Sequence, residues 1–198
     1  SPSSIIHDVV QGSEEWFAVR RGKFTASNFS DLFMGKSTKG YNGLINTVVF
    51  ERLTGESPES FTNDWMDRGI QLEAEAIERY ESETFCKVKR VGFVELSEWV
   101  GGSPDGFVKD GLIQVKCPKF STLIEYALSG EVPSDYMYQM QGEMMITGKP
   151  WCDFFVYHPK LKPILKRVER DETIIAAIAK ELALAIDTVT ARMRKLSR

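Results

Sequence analysis

Residues 101–106 read Gly-Gly-Ser-Pro-Asp-Gly, and residues 112–118 read Leu-Ile-Gln-Val-Lys-Cys-Pro. The Ser-Pro-Asp-Gly run is strong turn sequence, because proline fixes φ and glycine is free to adopt positive φ. The second run is short and rich in apolar residues, and Pro118 ends it. Together the two runs predict a β-hairpin around which the rest of the chain is organised.

The side chains of this hairpin are those that a metal-dependent phosphodiesterase needs. Alternation along a strand points Gln114 and Lys116 to one face and Val115 to the other. Asp105 sits where its carboxylate can lie beside that pair. Hard oxygen ligands hold Mg²⁺, which polarises a phosphate and lowers the pKa of a bound water, and a nearby lysine orients or deprotonates that water. The stretch therefore predicts metal-assisted phosphodiester hydrolysis.

Position 114 departs from the usual arrangement of such a site. That arrangement is Pro-Asp, a spacer, and then an acidic residue, any residue and lysine, and the chain matches it at Pro104, Asp105 and Lys116. Gln114 stands where the acidic residue belongs. An amide offers one carbonyl oxygen to a metal but no charge, so the departure falls where the chemistry most needs a carboxylate.

Five groups of short motifs follow one another over most of the chain. They are Trp-Phe-Ala-Val-Arg (16–20) with Thr-Ala-Ser (25–27), Arg-Gly (68–69) with Gln-Leu-Glu (71–73), Ser-Pro-Asp-Gly (103–106), Val-Lys-Cys-Pro (115–118), and Tyr-Met-Tyr-Gln-Met-Gln (136–141). In these motifs the chain resembles the phage lambda exonuclease family of viral-type recombination exonucleases, the YqaJ group of the PD-(D/E)xK nuclease superfamily. One motif alone would be weak, but five in the family's order argue against chance.

The family's carboxylate–x–Lys motif reads Gln114, Val115 and Lys116 in this chain. Either this branch has diverged, or the chain carries a Glu→Gln change made to stall cleavage. A single amide in an otherwise intact site favours the second explanation. We expect the chain to bind DNA but to cleave it at least about a hundredfold more slowly than with a carboxylate at this position.

The resemblance implies a 5′-to-3′ exonuclease that degrades one strand of linear double-stranded DNA to mononucleotides. Its cofactor would be Mg²⁺, with Mn²⁺ as an alternative. Lys116 would activate or orient the attacking water, with help from Gln139. The metal ligands that it implies are Asp105, Gln114, the Val115 carbonyl, and Glu73 as a second-site or supporting carboxylate.

The resemblance also implies a pocket for the 5′-phosphate, made by Arg20, Thr25, Ser27 and Ser103. Arginine suits this role because its planar fork of donors matches phosphate geometry. From the residues alone, the alternative is a solvated helix end, with Thr25 or Ser27 only capping the next helix.

The remaining implied site residues are Glu73, Met66 and Gln139. Glu73 falls on the apolar, core-facing stripe of a helix predicted over residues 67–83, where a carboxylate needs a partner such as a metal. Met66 either wedges open the end of a duplex or makes a core contact. Gln139 and Gln141 would be surface glutamines on sequence grounds alone, and the resemblance selects Gln139 for the site.

Composition limits the class of protein. At 198 residues the chain is most simply a single nuclease domain over 1–198. Its net charge of −3 counts mildly against DNA binding but is compatible with a basic channel beside an acidic site. The three cysteines show neither metal nor disulfide spacing, and no segment resembles a signal peptide or a membrane span. We therefore expect a cytoplasmic protein.

The pattern of elements predicts an α/β fold with a restriction-endonuclease-like core, in which helices flank a central mixed β-sheet. Strands are predicted over 86–96, 112–117 and 151–157, with an edge strand over 164–168. Helices are predicted from Ser13 and over 44–53, 67–83, 121–128, 136–146 and 171–195. Residues 35–43 are predicted to be a loop in which Lys36 and Lys39 either contact DNA or are ordinary surface residues, and His158 is predicted to be structural.

The resemblance implies two kinds of partner besides the double-stranded DNA end: two further copies in a ring-shaped homotrimer, and a protein that anneals the exposed single strand. Two rival functions remain open. A restriction or repair endonuclease on the same core would cut closed circular DNA. A DNA-end-binding or structural protein would hold ends with or without Mg²⁺ and would stay inactive when the acid is restored. A third possibility is a globular domain without a site, in which Asp105 and Lys116 form only a salt bridge. It would leave the matched Glu73 and Gln139 segments unexplained.

Overall fold

Helices and short strands alternate along the chain. The structure, a computed structural model, describes residues 4–58 and 63–197, but not the side chains of residues 63–71. The strands are β1 (Ile5–His7), β2 (Phe24–Thr25), β3 (Phe93–Glu95), β4 (Val100–Gly102), β5 (Gly106–Val108), β6 (Gly111–Lys116), β7 (Trp151–Val156) and β8 (Ile164–Glu169). The helices are α1 (Glu14–Arg20), a 3₁₀ helix (Ala26–Phe33), α2 (Lys39–Thr54), α3 (Asn63–Thr84), α4 (Phe120–Ser129), α5 (Ser134–Thr147) and α6 (Glu172–Leu196).

The predicted α/β class, with mixed sheet flanked by helices, is confirmed, but the strands form two four-stranded sheets rather than one. The first sheet has the order β1-β3-β4-β2, and only β2 and β4 are parallel in it. The second has the order β5-β6-β7-β8, and its parallel pair is β6 with β7. The predicted strand over residues 86–96 shrinks to β3, because Lys89 bridges to Phe107 of the second sheet while β3 pairs within the first.

The predicted hairpin exists, but its turn is not Ser-Pro-Asp-Gly. Strands β5 and β6 pair antiparallel from Gly106 opposite Ile113 to Val108 opposite Gly111. The turn is therefore made by Lys109 and Asp110, and Lys109 has a φ of 51° in the left-handed region. Residues 103–105 instead carry the chain from β4 of one sheet to β5 of the other. Their side chains consequently lie at the junction of the two sheets.

Most predicted helices are confirmed with small changes at their ends. The largest change is in α2, which begins at Lys39 rather than near residue 44. The Thr38 hydroxyl accepts a hydrogen bond from the Tyr41 backbone N–H and so caps this helix, as threonine does at an N-terminus. Lys36 is held by Glu181 at 2.6 Å, so this part of the predicted loop is folded against α6. None of the described helices is long and apolar enough to cross a membrane.

Helix α5 is the element that brings the two halves of the core together. Met140 and Met144 pack with Phe154 of β7 in one apolar cluster. A Cβ atom on Gly142 would lie 2.2 Å from the Phe29 ring, so only glycine permits this approach to the 3₁₀ helix. This packing determines how closely α5 approaches the junction of the two sheets and which of its polar side chains face that junction.

An ion pair with a buried carboxylate, Asp153 of β7, stabilises the second sheet. Asp153 is 2% exposed and accepts a hydrogen bond of 2.6 Å from the Tyr80 hydroxyl. It also accepts from Arg167 of the neighbouring strand, at 2.8 Å from Nε and 3.2 Å from Nη2. The Arg167 guanidinium stacks 3.6 Å above the Trp151 ring. Three elements, α3, β7 and β8, therefore depend on one carboxylate.

We expect Asp153→Asn to lower the free energy of unfolding by about 2 kcal/mol, since it weakens bonds to a charged acceptor while Arg167 stays half exposed to water. Tyr80→Phe removes one bond and should cost about 1 kcal/mol. Urea unfolding of both variants measures these values. Equal stability of Asp153→Asn and the parent would contradict the assigned role of the ion pair.

Candidate active site

Asp105 is buried where the chain passes between the two sheets. Its Oδ2 accepts a hydrogen bond of 2.6 Å from the Val115 backbone N–H and one of 3.0 Å from the Gln114 amide. The backbone bond fixes the segment before β5 against strand β6. Asp105 and Gln114 are thus in contact, as the sequence predicts, and Lys116 follows Gln114 by two residues on β6. The turn that delivers Asp105 is not that of a hairpin.

The carboxyl of Asp105 lies in an environment that disfavours its charge. Burial raises its pKa well above the ordinary value, and the carboxylates of Glu73 and Glu143 raise it further. The Val115 N–H opposes this by stabilising the ionised form. A site in which buried acids repel one another is one that a cation can neutralise.

The oxygen atoms beside Asp105 are of the type that a hard divalent cation takes as ligands. Gln114 is 3% exposed, and its Oε1 is buried with no hydrogen-bond partner in the described part of the structure. Glu73 adds a carboxylate near Asp105, although one of its oxygens accepts from Arg90 at 3.0 Å. Oxygen-only donors suit Mg²⁺ or Mn²⁺, so these residues fit such an ion.

The amide at position 114 leaves this donor set short of negative charge. Within residues 4–58 and 72–197, no group of three or more His, Cys, Asp or Glu side chains is arranged to hold a metal. The Gln114 amide NH₂ donates to Asp105 and adds no negative charge to the cluster. The predicted ligand role of the Val115 carbonyl stays a prediction.

Lys116 follows this cluster at the end of β6. Its Nζ donates to the Gln139 Oε1 at 3.4 Å and lies 4.5 Å from the centroid of the Tyr136 ring. Of the two glutamines of α5 that the sequence offers, Gln139 is the one at the site. Gln141 is buried elsewhere, donating to the Glu169 carbonyl and accepting from the Asp171 N–H, each at 2.9 Å.

A second polar cluster surrounds Arg20 at the end of α1. The guanidinium donates to the hydroxyls of Ser103 and Thr25, each at 3.3 Å. The Thr25 hydroxyl lies 3.4 Å from that of Ser27. The Trp16 ring packs 4.0 Å from the Arg20 guanidinium. All four residues of the predicted phosphate pocket therefore meet in space.

The charge of Arg20 is only partly compensated. Burial lowers its pKa to about 10, while the more distant charges of Glu51 and Glu143 oppose that change. In the described part of the chain, no carboxylate forms an ion pair with this guanidinium. A half-buried arginine whose side-chain bonds among the described residues go to hydroxyls is ready to receive an anion.

Sequence reasoning missed Glu143. This residue is 1% exposed and lies one helical turn after Gln139, whose amide donates to its Oε1 at 3.3 Å. The i, i+4 spacing from Gln139 was available in the sequence, but nothing there marked Glu143 as buried.

Met66 lies outside the described side chains, so its wedge role stays a prediction. His158 caps a turn by accepting from the Lys160 N–H, in agreement with the structural interpretation.

Comparisons with known proteins agree on one family. The model of the YqaJ-like viral recombinase domain matches residues 15–150. The chain is similar to an alkaline exonuclease, LHK-Exo, from Laribacter hongkongensis, with 36% identity, a TM-score of 0.86, and coverage of 94% of this chain and 97% of that one. The structure of LHK-Exo in complex with dAMP gives the same identity and coverage, and a TM-score of 0.87.

A phage-related exonuclease from Haemophilus somnus 129PT shares the fold at 16% identity, with a TM-score of 0.68 over 89% of this chain and 97% of that one. Among curated protein sequences there is no significant match.

The buried Glu143 predicts a pH dependence of stability. Burial raises its pKa from the ordinary 4.5 to about 8, against the opposing effects of Lys116, Gln139 and Arg20. The folded chain therefore holds this proton more tightly than the unfolded chain, and the resulting stability is lost as the pH rises through about 8. Glu143→Gln stays neutral at every pH. In urea unfolding, we expect the variant to gain stability relative to the parent between pH 5 and 9. Parallel pH profiles would contradict this assignment.

Proposed function

Because the chain belongs to the YqaJ-like viral recombinase family, we propose that it is built as a 5′-to-3′ exonuclease. It would degrade one strand of linear double-stranded DNA to mononucleotides, in a reaction that depends on Mg²⁺ or Mn²⁺. Its product would be a single-stranded tail for annealing-based recombination.

One observation carries this proposal: the two polar clusters share one short segment. Ser103 belongs to the Arg20 pocket, and Asp105 belongs to the cluster around Gln114. Two residues span at most about 7 Å of extended chain. One terminal nucleotide can therefore place its 5′-phosphate on Arg20 while its next phosphodiester reaches Asp105, which suits removal of single nucleotides from an end.

The residues that would hold the divalent ion are Asp105, Glu73, the Gln114 Oε1 and the Val115 carbonyl. When bound, such an ion polarises the scissile phosphate and lowers the pKa of a water ligand. The chain itself contributes Lys116, whose ammonium lies beside this cluster and stabilises negative charge as it develops on the phosphate. Gln139 accepts from Lys116 and limits where that ammonium can lie.

Arg20 determines which end of a strand is used. Its guanidinium reaches the pocket with N–H groups directed at neutral hydroxyls, and a terminal phosphate monoester offers more charge and more acceptors than an internal diester. Preference for a 5′-phosphate over a 5′-hydroxyl follows from this difference.

We propose that Gln114 occupies the place of a glutamate in an active enzyme of this design. Its NH₂ donates to Asp105 Oδ2 and so stabilises that carboxylate in part without any cation. A glutamate here would set two carboxylates side by side and would make cation binding favourable. The amide consequently weakens both the hold on the ion and the charge that preorganises the reaction.

That same hydrogen bond favours a second candidate, a DNA-end-binding protein without catalysis. Because the amide already donates a hydrogen bond to Asp105, the site needs an ion less, and the Arg20 pocket can still bind a terminal phosphate.

Family membership also supports proposals of a homotrimeric ring, an annealing partner protein and a cytoplasmic location. The three cysteines are free thiols, as a reducing compartment requires.

Restoring the acid separates the candidates. We expect Gln114→Glu to digest linear, 5′-phosphorylated duplex in Mg²⁺ at least about a hundredfold faster than the parent chain. Lys116→Ala in that background is the control and should remove the gained activity. Inactivity of both proteins would favour the end-binding protein, and cutting of a closed circle by Gln114→Glu would favour an endonuclease.

The phosphate pocket has its own test in the Gln114→Glu background. Arg20→Lys keeps the charge but loses the planar fork, so the ratio of kcat/KM for 5′-phosphate over 5′-hydroxyl ends should fall about tenfold. The adjacent Arg21 bonds to Ser57 at 3.1 Å, and Arg21→Lys is the matched control with an unchanged ratio. An unchanged ratio in Arg20→Lys as well would place the phosphate elsewhere.

A further inference from the structure

We propose that Glu143 is a positioning residue, which fixes the orientation of the Gln139 amide and through it the place of the Lys116 ammonium. The proposal deepens the function above and rests on it for the part that concerns the reaction. Nothing in the motif that contains Gln139 points to Glu143, which lies two residues beyond its end.

Two hydrogen bonds, to Lys116 and to Glu143, orient the Gln139 amide. Lys116 Nζ can only donate, so the Gln139 atom at 3.4 Å from it has to be the carbonyl oxygen. The Gln139 amide nitrogen then lies 3.3 Å from Glu143 Oε1, which accepts whether the carboxyl is ionised or carries its proton on Oε2, the oxygen without a partner among the described residues. The donor-only ammonium on one side and this acceptor on the other favour one orientation of the amide. A side chain at position 143 that offers an NH₂ would compete with Lys116 for the Gln139 carbonyl.

The location of Glu143 is a further argument. A Cβ atom on Gly102 would lie 3.7 Å from Glu143 Cγ and 3.2 Å from the Ala26 methyl group. Gly102 precedes Ser103 of the phosphate pocket, and Ala26 follows Thr25. Glu143 is therefore packed beneath the Arg20 pocket while it is hydrogen bonded toward Lys116, and it connects the two halves of the site.

The Glu143 carboxyl is buried among other titratable groups. Lys116 on β6 and Arg20 on α1 both lower the pKa of Glu143. Glu143 in turn raises the pKa of Asp105, which precedes β5, and that of Cys152 on β7. Its second oxygen, Oε2, is buried without a hydrogen-bond partner among the described residues. A buried carboxylate with one unpaired oxygen costs stability. A purely structural residue at this position would serve better as an amide or an apolar side chain.

The expected effect is on turnover rather than on DNA binding. With Glu143→Gln, the new side chain can offer its own NH₂ to the Gln139 carbonyl and draw it away from the Lys116 ammonium, which then loses its acceptor. The Arg20 donors to Ser103 and Thr25 remain. We expect kcat to fall about ten- to a hundredfold in the Gln114→Glu background, with KM for DNA ends changed less than about threefold.

A double-mutant cycle tests whether Glu143 acts through Gln139. In the Gln114→Glu background, Glu143→Gln should reduce kcat in the presence of Gln139 and should have no further effect in Gln139→Ala. Gln141→Met is the matched control, because Gln141 is equally buried on α5 but bonds away from the site. It should lower stability and leave kcat unchanged. If the double variant instead loses kcat by the product of the two single reductions, the two residues act independently and the proposal is wrong.

A second measurement does not depend on activity and uses the chain with Gln114 in place. In protein labelled with ¹⁵N-glutamine, the Gln139 side-chain NH₂ signal is assigned by its loss in Gln139→Ala. Glu143→Gln should shift this signal strongly, and Gln141→Met should leave it in place. An unmoved signal in Glu143→Gln would refute the orientation argument. If Gln114→Glu proves inactive, the proposed function fails, and this spectrum still decides the role of Glu143.

Discussion

The hydrogen bond from the Val115 backbone N–H to the Asp105 carboxylate is the contact on which the site depends. At 2.6 Å it joins the segment that leaves the first sheet to the central strand of the second. Because Asp105 is buried there, its position is set by the fold rather than by solvent. Register then places three of the site residues: Gln114 and Lys116 along β6, and Ser103 two residues before Asp105.

The site concentrates charges that do not stabilise the fold. Burial and neighbouring acids raise the pKa of Asp105, burial raises the pKa of Glu143, and burial lowers that of Arg20. The ion pair of Asp153 with Arg167 shows the contrast, since both oxygens of that carboxylate are bonded. Asp105, Glu143 and Arg20, each with a pKa shifted by burial, thus lie in the region where an anionic substrate and a cation would meet, as expected of a functional site.

Local sequence predicted most helices, the fold class and the neighbourhood of Asp105 and Gln114, whereas the Arg20 pocket and Gln139 were predicted from the family resemblance. Turn-forming residues marked the 103–106 segment but could not show that it crosses between two sheets, because Ser-Pro-Asp-Gly suits a crossing as well as a hairpin. The start of α2 was missed because glycine and lysine weaken the helical pattern there, whereas the Thr38 cap decides it. Glu143 was missed because its burial arises from long-range packing against Gly102 and Ala26, which no local pattern encodes.

In the proposed complex, a DNA end binds with its terminal phosphate at Arg20 and its next phosphodiester at Asp105. The most direct measurement is a crystal structure of Gln114→Glu with Mn²⁺ and a 5′-phosphorylated duplex that carries a non-hydrolysable first linkage, with manganese located by its anomalous signal. We expect manganese between Asp105 and position 114 and the terminal phosphate on the Arg20 guanidinium. Manganese elsewhere, or a terminal phosphate away from Arg20, would contradict the account.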